Sequence, residues 1–202
     1  ILGIDTSNYT SSLSIVSGNK LISDRRKLLN VEKSKIGLRQ SEAVFQHIHN
    51  LPYLMSLVKQ DIKDMSIDAI GVSNKPRPVE DSYMPVFKVG ESFADFLSAC
   101  LNIPVFKTSH QEGHIEAGIY STNMNVQKSF IALHLSGGTS EILKVEPKDS
   151  CKPGCFGFSI QIIGGSDDLS AGQFIDRAGV SLGFDFPAGK AVDDCALEGS
   201  PL

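Results

Sequence analysis

The chain has 202 residues, 41% of them hydrophobic and 21% charged, with a formal net charge of −4. That is enough apolar material for one large or two small lobes, and no apolar run approaches the ~20 residues of a membrane helix. The negative balance gives no general attraction to phosphate backbones, so any nucleic-acid contact has to come from a local patch or from a partner.

In chain order, Ile1 to Ile4 reads as a short apolar strand, and Leu13 to Val16 begins a second after a Ser/Thr/Asn turn. A third strand is expected around Lys20 to Leu29, where the run Asp24-Arg25-Arg26-Lys27 reads as a solvated strand edge. Ala43 to Val58 carries apolar residues at helical spacing, with Pro52 expected to break or kink it. Ile67 to Val72 is a predicted buried strand, Val89 to Leu101 an amphipathic helix, and Ile103 to Phe106 the next strand. Three strands, helix, strand, helix, strand predicts a mixed sheet with crossover connections. The three prolines of the Lys75–Pro85 stretch predict a stiff surface loop; alternatively, Arg77 and Tyr83 present a cation and a ring to RNA or a partner.

No signal-peptide pattern opens the sequence. The four cysteines, Cys100, Cys151, Cys155 and Cys195, form no CxxC pair, and the closest two lie in a turn-like context. They are expected to be reduced cytosolic thiols.

The opening pattern then recurs. Ile1-Leu-Gly-Ile-Asp5 runs through a small-residue turn into Leu13-Ser-Ile-Val16, and Ile131-Ala-Leu-His134 runs through Leu-Ser-Gly-Gly138 into Ile142-Leu-Lys-Val145. Asp5 and His134 fall at matching positions. A duplication of this kind predicts two related lobes facing each other across a cleft.

Ser109-His110-Gln111-Glu112-Gly113-His114 is the most specific stretch. Histidines four apart on a helix share one face and can share one metal ion. A zinc-protease HExxH motif needs its glutamate directly after the first histidine, where Gln111 stands here. Glu112 lies about 200° round the helix from His110. The site is therefore a metal candidate not built for peptide hydrolysis. Ser109 and Glu112 also have the S-x-x-E spacing of a capping box, which would explain the glutamate without catalysis. Ser136-Gly137-Gly138 lacks bulky side chains, so its backbone N–H groups can approach an anion; the same residues also suit a plain hairpin turn.

These features together resemble the threonylcarbamoyl transferase family, formerly called O-sialoglycoprotein endopeptidase or glycoprotease, one branch of the actin, Hsp70 and sugar-kinase group. The resemblance rests on Gly3-Ile-Asp-Thr-Ser7, His110-Gln-Glu-Gly-His114, Leu135-Ser-Gly-Gly138, Ala171-Gly-Gln-Phe-Ile-Asp-Arg177 and Leu182-Gly-Phe-Asp-Phe-Pro-Ala-Gly189. It implies an α/β fold of duplicated actin-like lobes with mixed five-stranded sheets, a first lobe over 1–127 and an incomplete second lobe over 128–202. It also implies a chain cut short soon after a long helix of the second lobe. Read from the residues alone, Asp193 and Asp194 are expected on the exposed face of the last helix.

The activity implied is metal-dependent transfer of a threonylcarbamoyl group from its adenylate to the exocyclic amine of the adenosine beside the anticodon of tRNA. The resemblance makes His110 and His114 ligands of one divalent ion, iron or zinc, with His134 as a third ligand. It assigns His134, Leu135, Ser136, Gly137 and Gly138 to the substrate loop, Asp176 to the nucleotide's sugar and Gly189 to the sugar's close approach. A carboxylate suits a ribose because it accepts two hydroxyl hydrogen bonds. The implied partners are an adenine nucleotide, tRNA, a paralogue of the first lobe and a small ATPase, in the cytoplasm and without a membrane.

Besides that early end, the sequence departs from the family's pattern in two places. Where the family usually carries acidic residues after Thr6-Ser7, this chain reads Asn8-Tyr9-Thr10-Ser11, and Gln173 replaces a glutamate. Two function classes follow. One is the acyltransferase, not a peptidase. The other is a non-catalytic or differently acting relative that binds an adenine nucleotide and scaffolds a partner.

Overall fold

The structure, a computed structural model, describes residues 1–7, 9–31, 38–63, 65–122, 124–148 and 157–199. Asn8, Cys151 and Cys155 lie outside the described residues. The chain divides into two compact units, Ile1–Met124 and Asn125–Leu202.

The first unit is built on a five-stranded sheet with the order β3-β2-β1-β4-β5. Its strands are β1 (Leu2–Asp5), β2 (Thr10–Ser17), β3 (Lys20–Leu28), β4 (Ile70–Lys75) and β5 (Val105–Ser109). The first three form an antiparallel meander, and β4 and β5 run parallel to β1 and to each other. The predicted mixed sheet is thus present, with β4 and β5 ending a few residues later than expected because the polar tails Ser73–Lys75 and Lys107–Ser109 stay in the ladder. Period-two alternation decides which face is covered: Leu2 and Ile4 on β1, Leu13 and Ile15 on β2, and Ile70 and Val72 on β4 are all buried. They form one core with Leu51, Leu54 and Val58 of helix α1 (Gln40–Ile62) and Val89 and Ala94 of α2 (Pro85–Leu101).

Pro52 does not break α1, which runs unbroken from Gln40 to Ile62. The missing proline N–H leaves the Ile48 carbonyl without its helical donor, but Pro52 and Ile48 are both exposed, so water can serve that carbonyl. The buried face, Leu51, Leu54 and Val58, keeps the helix seated on the sheet. Helix α2 starts at Pro85, whose fixed φ suits a first helical position.

Edge strand β3 bears out the solvated reading of Asp24–Lys27: Arg26 pairs with Asp24 at 2.9 Å, and Arg25 reaches across to Asp61 on α1. The Lys75–Pro85 stretch connects β4 to α2, with Tyr83 exposed and the Arg77 N–H donating to Ser82 Oγ at 2.9 Å.

The second unit holds an antiparallel meander of β6 (Phe130–Leu135), β7 (Ser140–Pro147) and β8 (Phe158–Gly165), followed by α4 (Ala171–Ser181) and α5 (Gly189–Glu198). The duplicated hairpin is real in register: Asp5 pairs with Ser12, and His134 pairs with Glu141 across a turn of the same length. In place of one long helix there are two. The break comes from Gly183, whose φ of +95° takes the left-handed position after the Leu182 cap. The Phe184 N–H donates back to the Gly179 carbonyl at 3.1 Å and the Gly183 N–H to that of Val180 at 3.0 Å, the paired bonds of a Schellman ending. Asp193 and Asp194 are exposed on α5, as expected. Cys100 and Cys195 are free and exposed. No described helix is long and apolar enough to cross a membrane.

Candidate functional site

In the first unit, parallel β1, β4 and β5 bring their C-terminal ends to one edge of the sheet, where α/β folds place ligands. Asp5 closes β1, Ser73 lies near the end of β4, and His110 opens α3 (His110–Thr122) directly after β5. The turn after Asp5 is fixed by fully buried Thr6, whose hydroxyl donates to the Val86 carbonyl at 2.8 Å and accepts the Gly90 N–H at 3.1 Å. That approach needs a glycine: a Cβ at Gly90 would meet Thr6 Oγ1 at 2.9 Å.

His110 and His114 converge as their spacing predicts, with Nε2 atoms 2.9 Å apart. Two nitrogens on a tetrahedral zinc at about 2.0–2.1 Å stand roughly 3.3 Å apart, so a slight opening of the pair accommodates an ion. Two imidazoles are a suitable but incomplete donor set. Among the described residues no group of three or more His, Cys, Asp or Glu side chains forms a metal cluster.

Asp5 was not singled out for this site by its residue type, and the structure places it there. Its Oδ2 lies 2.9 Å from His110 Nδ1. Its Oδ1 accepts the Ser7 N–H at 2.8 Å and also the Ser7 hydroxyl. Burial pushes the Asp5 carboxyl up, but the hydrogen bond and charge interaction with His110, joined by hydrogen bonds from Ser7 and Ser73, outweigh it and lower the carboxyl from 3.8 to about 2. The signal for this role was the match between Asp5 and His134 in the repeat.

Glu112 takes the structural reading. Its Oε2 accepts from the Ser109 N–H at 2.9 Å, the Ser109 hydroxyl at 2.7 Å and the Thr108 hydroxyl at 3.0 Å, while its own N–H reaches Ser109 Oγ at 3.2 Å. This is a reciprocal capping box, buried on the side of α3 away from the histidine pair. The Gln111 N–H donates to the Pro76 carbonyl at 3.0 Å, tying the proline-rich loop to the start of the histidine helix. At the departing positions, Tyr9 is exposed and Thr10 is already in β2, opposite Leu28.

In the second unit, His134 sits on β6 with Nδ1 3.6 Å from Glu141 Oε2 across the strand pair. Leu135 closes the strand, and Ser136, Gly137 and Gly138 form the exposed hairpin loop. A Cβ at Gly137 or Gly138 would meet nothing within 4 Å, so the loop faces open space. Part of its donor capacity turns inward, however, since the Gly138 and Thr139 N–H groups point at Ser136 Oγ at 3.3 and 3.0 Å.

The loop is bound to the start of α4. The Ser170 hydroxyl donates to the Gly137 carbonyl at 2.7 Å, and the Gly172 N–H to the Ser136 carbonyl at 3.2 Å. Gly172, unassigned from sequence, is what lets them meet: a Cβ there would sit 2.6 Å from Gly137 Cα. Asp176 and Gly189 come together as well. Asp176 Oδ1 accepts the N–H groups of Ala188 at 2.9 Å and Gly189 at 3.0 Å, so the carboxylate caps α5.

Comparison with known proteins identifies the family. A family model described as "TsaD: tRNA N6-adenosine threonylcarbamoyltransferase" matches residues 27–202. The protein of that name from Riemerella anatipestifer is 32% identical over 205 residues, covering 100% of this chain and 56% of its own length. That from Thermosipho melanesiensis is 30% identical over 203 residues, covering 99% of this chain and 58% of its own. The chain thus spans little more than half the length of these curated relatives. Among solved structures, YeaZ from Pseudomonas aeruginosa aligns with a TM-score of 0.50 at 11% identity, over 80% of this chain and 65% of that one. That likeness is one of fold, the actin-like α/β architecture. The family match extends from β3 through the histidine helix, the Ser-Gly-Gly loop and both C-terminal helices, and the chain belongs to the tRNA N6-adenosine threonylcarbamoyltransferase family.

Proposed function

We propose that this chain carries part of a site that transfers a threonylcarbamoyl group from its adenylate to the exocyclic amine of the adenosine beside the anticodon of tRNA. The observation that carries the reading is the His110–His114 pair, whose Nε2 atoms converge at 2.9 Å in a chain of this family. His110 and His114 would hold one divalent ion, iron or zinc, with His134 the candidate for a further ligand. When bound, the ion would supply Lewis-acid polarisation of the acyl donor. The new bond joins the adenosine nitrogen to the carbamoyl carbon as the bond from that carbon to the phosphate oxygen breaks, AMP leaves, and the amine's proton passes to solvent.

The second unit supplies the nucleotide contacts in this reading. Leu135 through Gly138 form the substrate loop, whose open side leaves room for phosphate. Because Asp176 Oδ1 is engaged in capping α5, its ribose contact falls to Oδ2, with Gly189 beside it. The lobes are taken as 1–127 and 128–202. The net charge of −4 favours tRNA binding with help from partner proteins, a first-lobe paralogue and a small ATPase, in the cytoplasm. Peptidase activity is not part of this reading, because Gln111 stands where a zinc peptidase carries its base and a carboxamide cannot take up a proton there.

The test supplies full-length protein with metal, partner proteins, threonylcarbamoyl-adenylate and an ANN-decoding tRNA, and reads modified adenosine by mass spectrometry. Product that disappears in His114→Ala supports the reading. A second reading, an adenine-nucleotide-binding scaffold, is favoured by exposed Tyr9 standing where the family carries an acid. Nucleotide binding without any product, with metal bound and partners present, would select it.

A further inference from the structure

The histidine pair poses a question of protons that spacing alone does not answer. With two neutral imidazoles and Nε2 atoms 2.9 Å apart, one nitrogen holds a proton and the other accepts it. Only a bare Nε2 is a ligand, so the arrangement of that proton decides which ring is ready for an ion.

We propose that Asp5 is the positioning residue that sets this arrangement: it holds His110 as the Nδ1–H tautomer, with its Nε2 lone pair bare and aimed at the ion position, and thereby makes His114 the donor of the pair. The inference rests on the proposed metal site and deepens it. Three observations carry it. First, Asp5 Oδ2 lies 2.9 Å from His110 Nδ1, and a carboxylate can only accept there, so the proton sits on Nδ1. Second, the carboxylate cannot turn away, because Oδ1 is held by both the N–H and the hydroxyl of Ser7, which is itself buried. Third, His114 is on the exposed side of the helix, so the proton it donates from Nε2 can exchange with solvent when an ion takes its place. A carboxylate behind a metal-binding histidine fixes the ring and raises its basicity, and losing such a partner lowers metal affinity about 10–100-fold.

Asp5→Asn gives this a sign. The two Ser7 donors retain the amide oxygen at the Oδ1 position, which leaves the amide NH2 facing His110 Nδ1. His110 then has to accept at Nδ1 and carry its proton on Nε2, and the donor of the imidazole pair reverses.

The experiment uses the full chain with zinc(II) as the only added ligand. Nitrogen-15 chemical shifts of His110 and His114 are read in zinc-free wild type, Asp5→Asn, Asp5→Ala and His114→Ala, and zinc affinity is measured by competition with a chelating dye. Circular dichroism shows whether each variant is folded. The expected result is Nδ1–H on His110 in the wild type, Nε2–H on His110 in Asp5→Asn, and zinc affinity about 10–100-fold lower in that variant. Wild-type tautomer and affinity in Asp5→Asn, with zinc binding lost in His114→Ala, overturns the role of Asp5 and leaves the metal site standing. Absence of zinc binding in the wild type removes the metal site, and the zinc-free shifts still decide whether Asp5 sets the tautomer. If Asp5→Asn fails to fold, Asp5→Ala decides: a His110 shift like wild type overturns the proposal, and a mixture of tautomers supports it.

Discussion

Asp176 and Gly189 meet through one oxygen: Asp176 Oδ1 accepts the Gly189 N–H at 3.0 Å, beside that of Ala188 at 2.9 Å. The side chain proposed to hold a ribose is therefore also the N-terminal cap of α5. Asp176→Ala should lower the stability of the second unit by about 0.5–2 kcal/mol, as loss of a capping acceptor does. It should also weaken adenine-nucleotide binding by roughly 1.5–3 kcal/mol if the charged hydrogen bonds to the sugar are real. Denaturation curves and calorimetric titration separate the two effects, and unchanged affinity would leave the residue with the structural role alone.

Gly189→Ala is the complementary test. A Cβ there has only Asp176 Oδ1 near it, at 3.7 Å, an ordinary contact. The variant should be as stable as the wild type or slightly better, since alanine suits a helix. Weaker nucleotide binding with intact stability would place the ligand against Gly189, and full affinity would remove that role.

Gly172→Ala should behave differently. Its Cβ would press on backbone, 2.6 Å from Gly137 Cα and 2.9 Å from the Ser136 carbonyl oxygen. The helix start and the Ser-Gly-Gly loop have to separate, at a cost of about 1–3 kcal/mol. A melting temperature equal to wild type would mean that the loop gives way freely.

Glu112 ties down the start of α3 through Ser109 and Thr108. Glu112→Ala leaves the Ser109 N–H without its acceptor and should destabilise the first unit by about 0.5–2 kcal/mol. Zinc affinity measured below the melting transition should remain within a few-fold of wild type. An abrupt loss of binding at full stability would give the carboxylate a direct part in the site.

Glu91 predicts an acid limb. Burial pushes its carboxyl up, but hydrogen bonds from Lys88, Asn74 and Lys107 and the Lys107 charge bring it down from 4.5 to about 2. Its folded-state value lies below the unfolded one, so the contribution is present above about pH 4.5 and is lost as pH falls toward about 2. Lys88 stands 2.6 Å and Lys107 3.1 Å from the carboxylate. Glu91→Gln should flatten the fall of stability across that window, and identical pH profiles would show the ion pairs to be energetically silent.

Much of the fold is written in local patterns. Alternating apolar residues mark β1, β2 and β4, and the repeat of Ile1–Asp5 in Ile131–His134 foretells two hairpins of identical register. The i, i+4 spacing of His110 and His114 foretells their convergence, because helix geometry is fixed by the backbone alone. Pro52 and the second unit's helices were harder to read. A proline's cost depends on whether water reaches the carbonyl it orphans, and Gly183 ends a helix only because the following turn closes on Gly179.

The sequence by itself determined the family, the histidine pair and the Ser-Gly-Gly loop, since each is set by residue types at short spacing. Tertiary structure decided which carboxylate serves which group. Asp5 reaches His110 from 105 residues away because parallel β1 and β5 end at the same edge of the sheet. Glu112, two residues from His110, turns instead to the backbone of Ser109. Helix geometry already turned the nearer acid away from the pair, and sheet topology supplied the distant one, because a side chain's partner is set by where its strand ends and which way its bond to Cβ points.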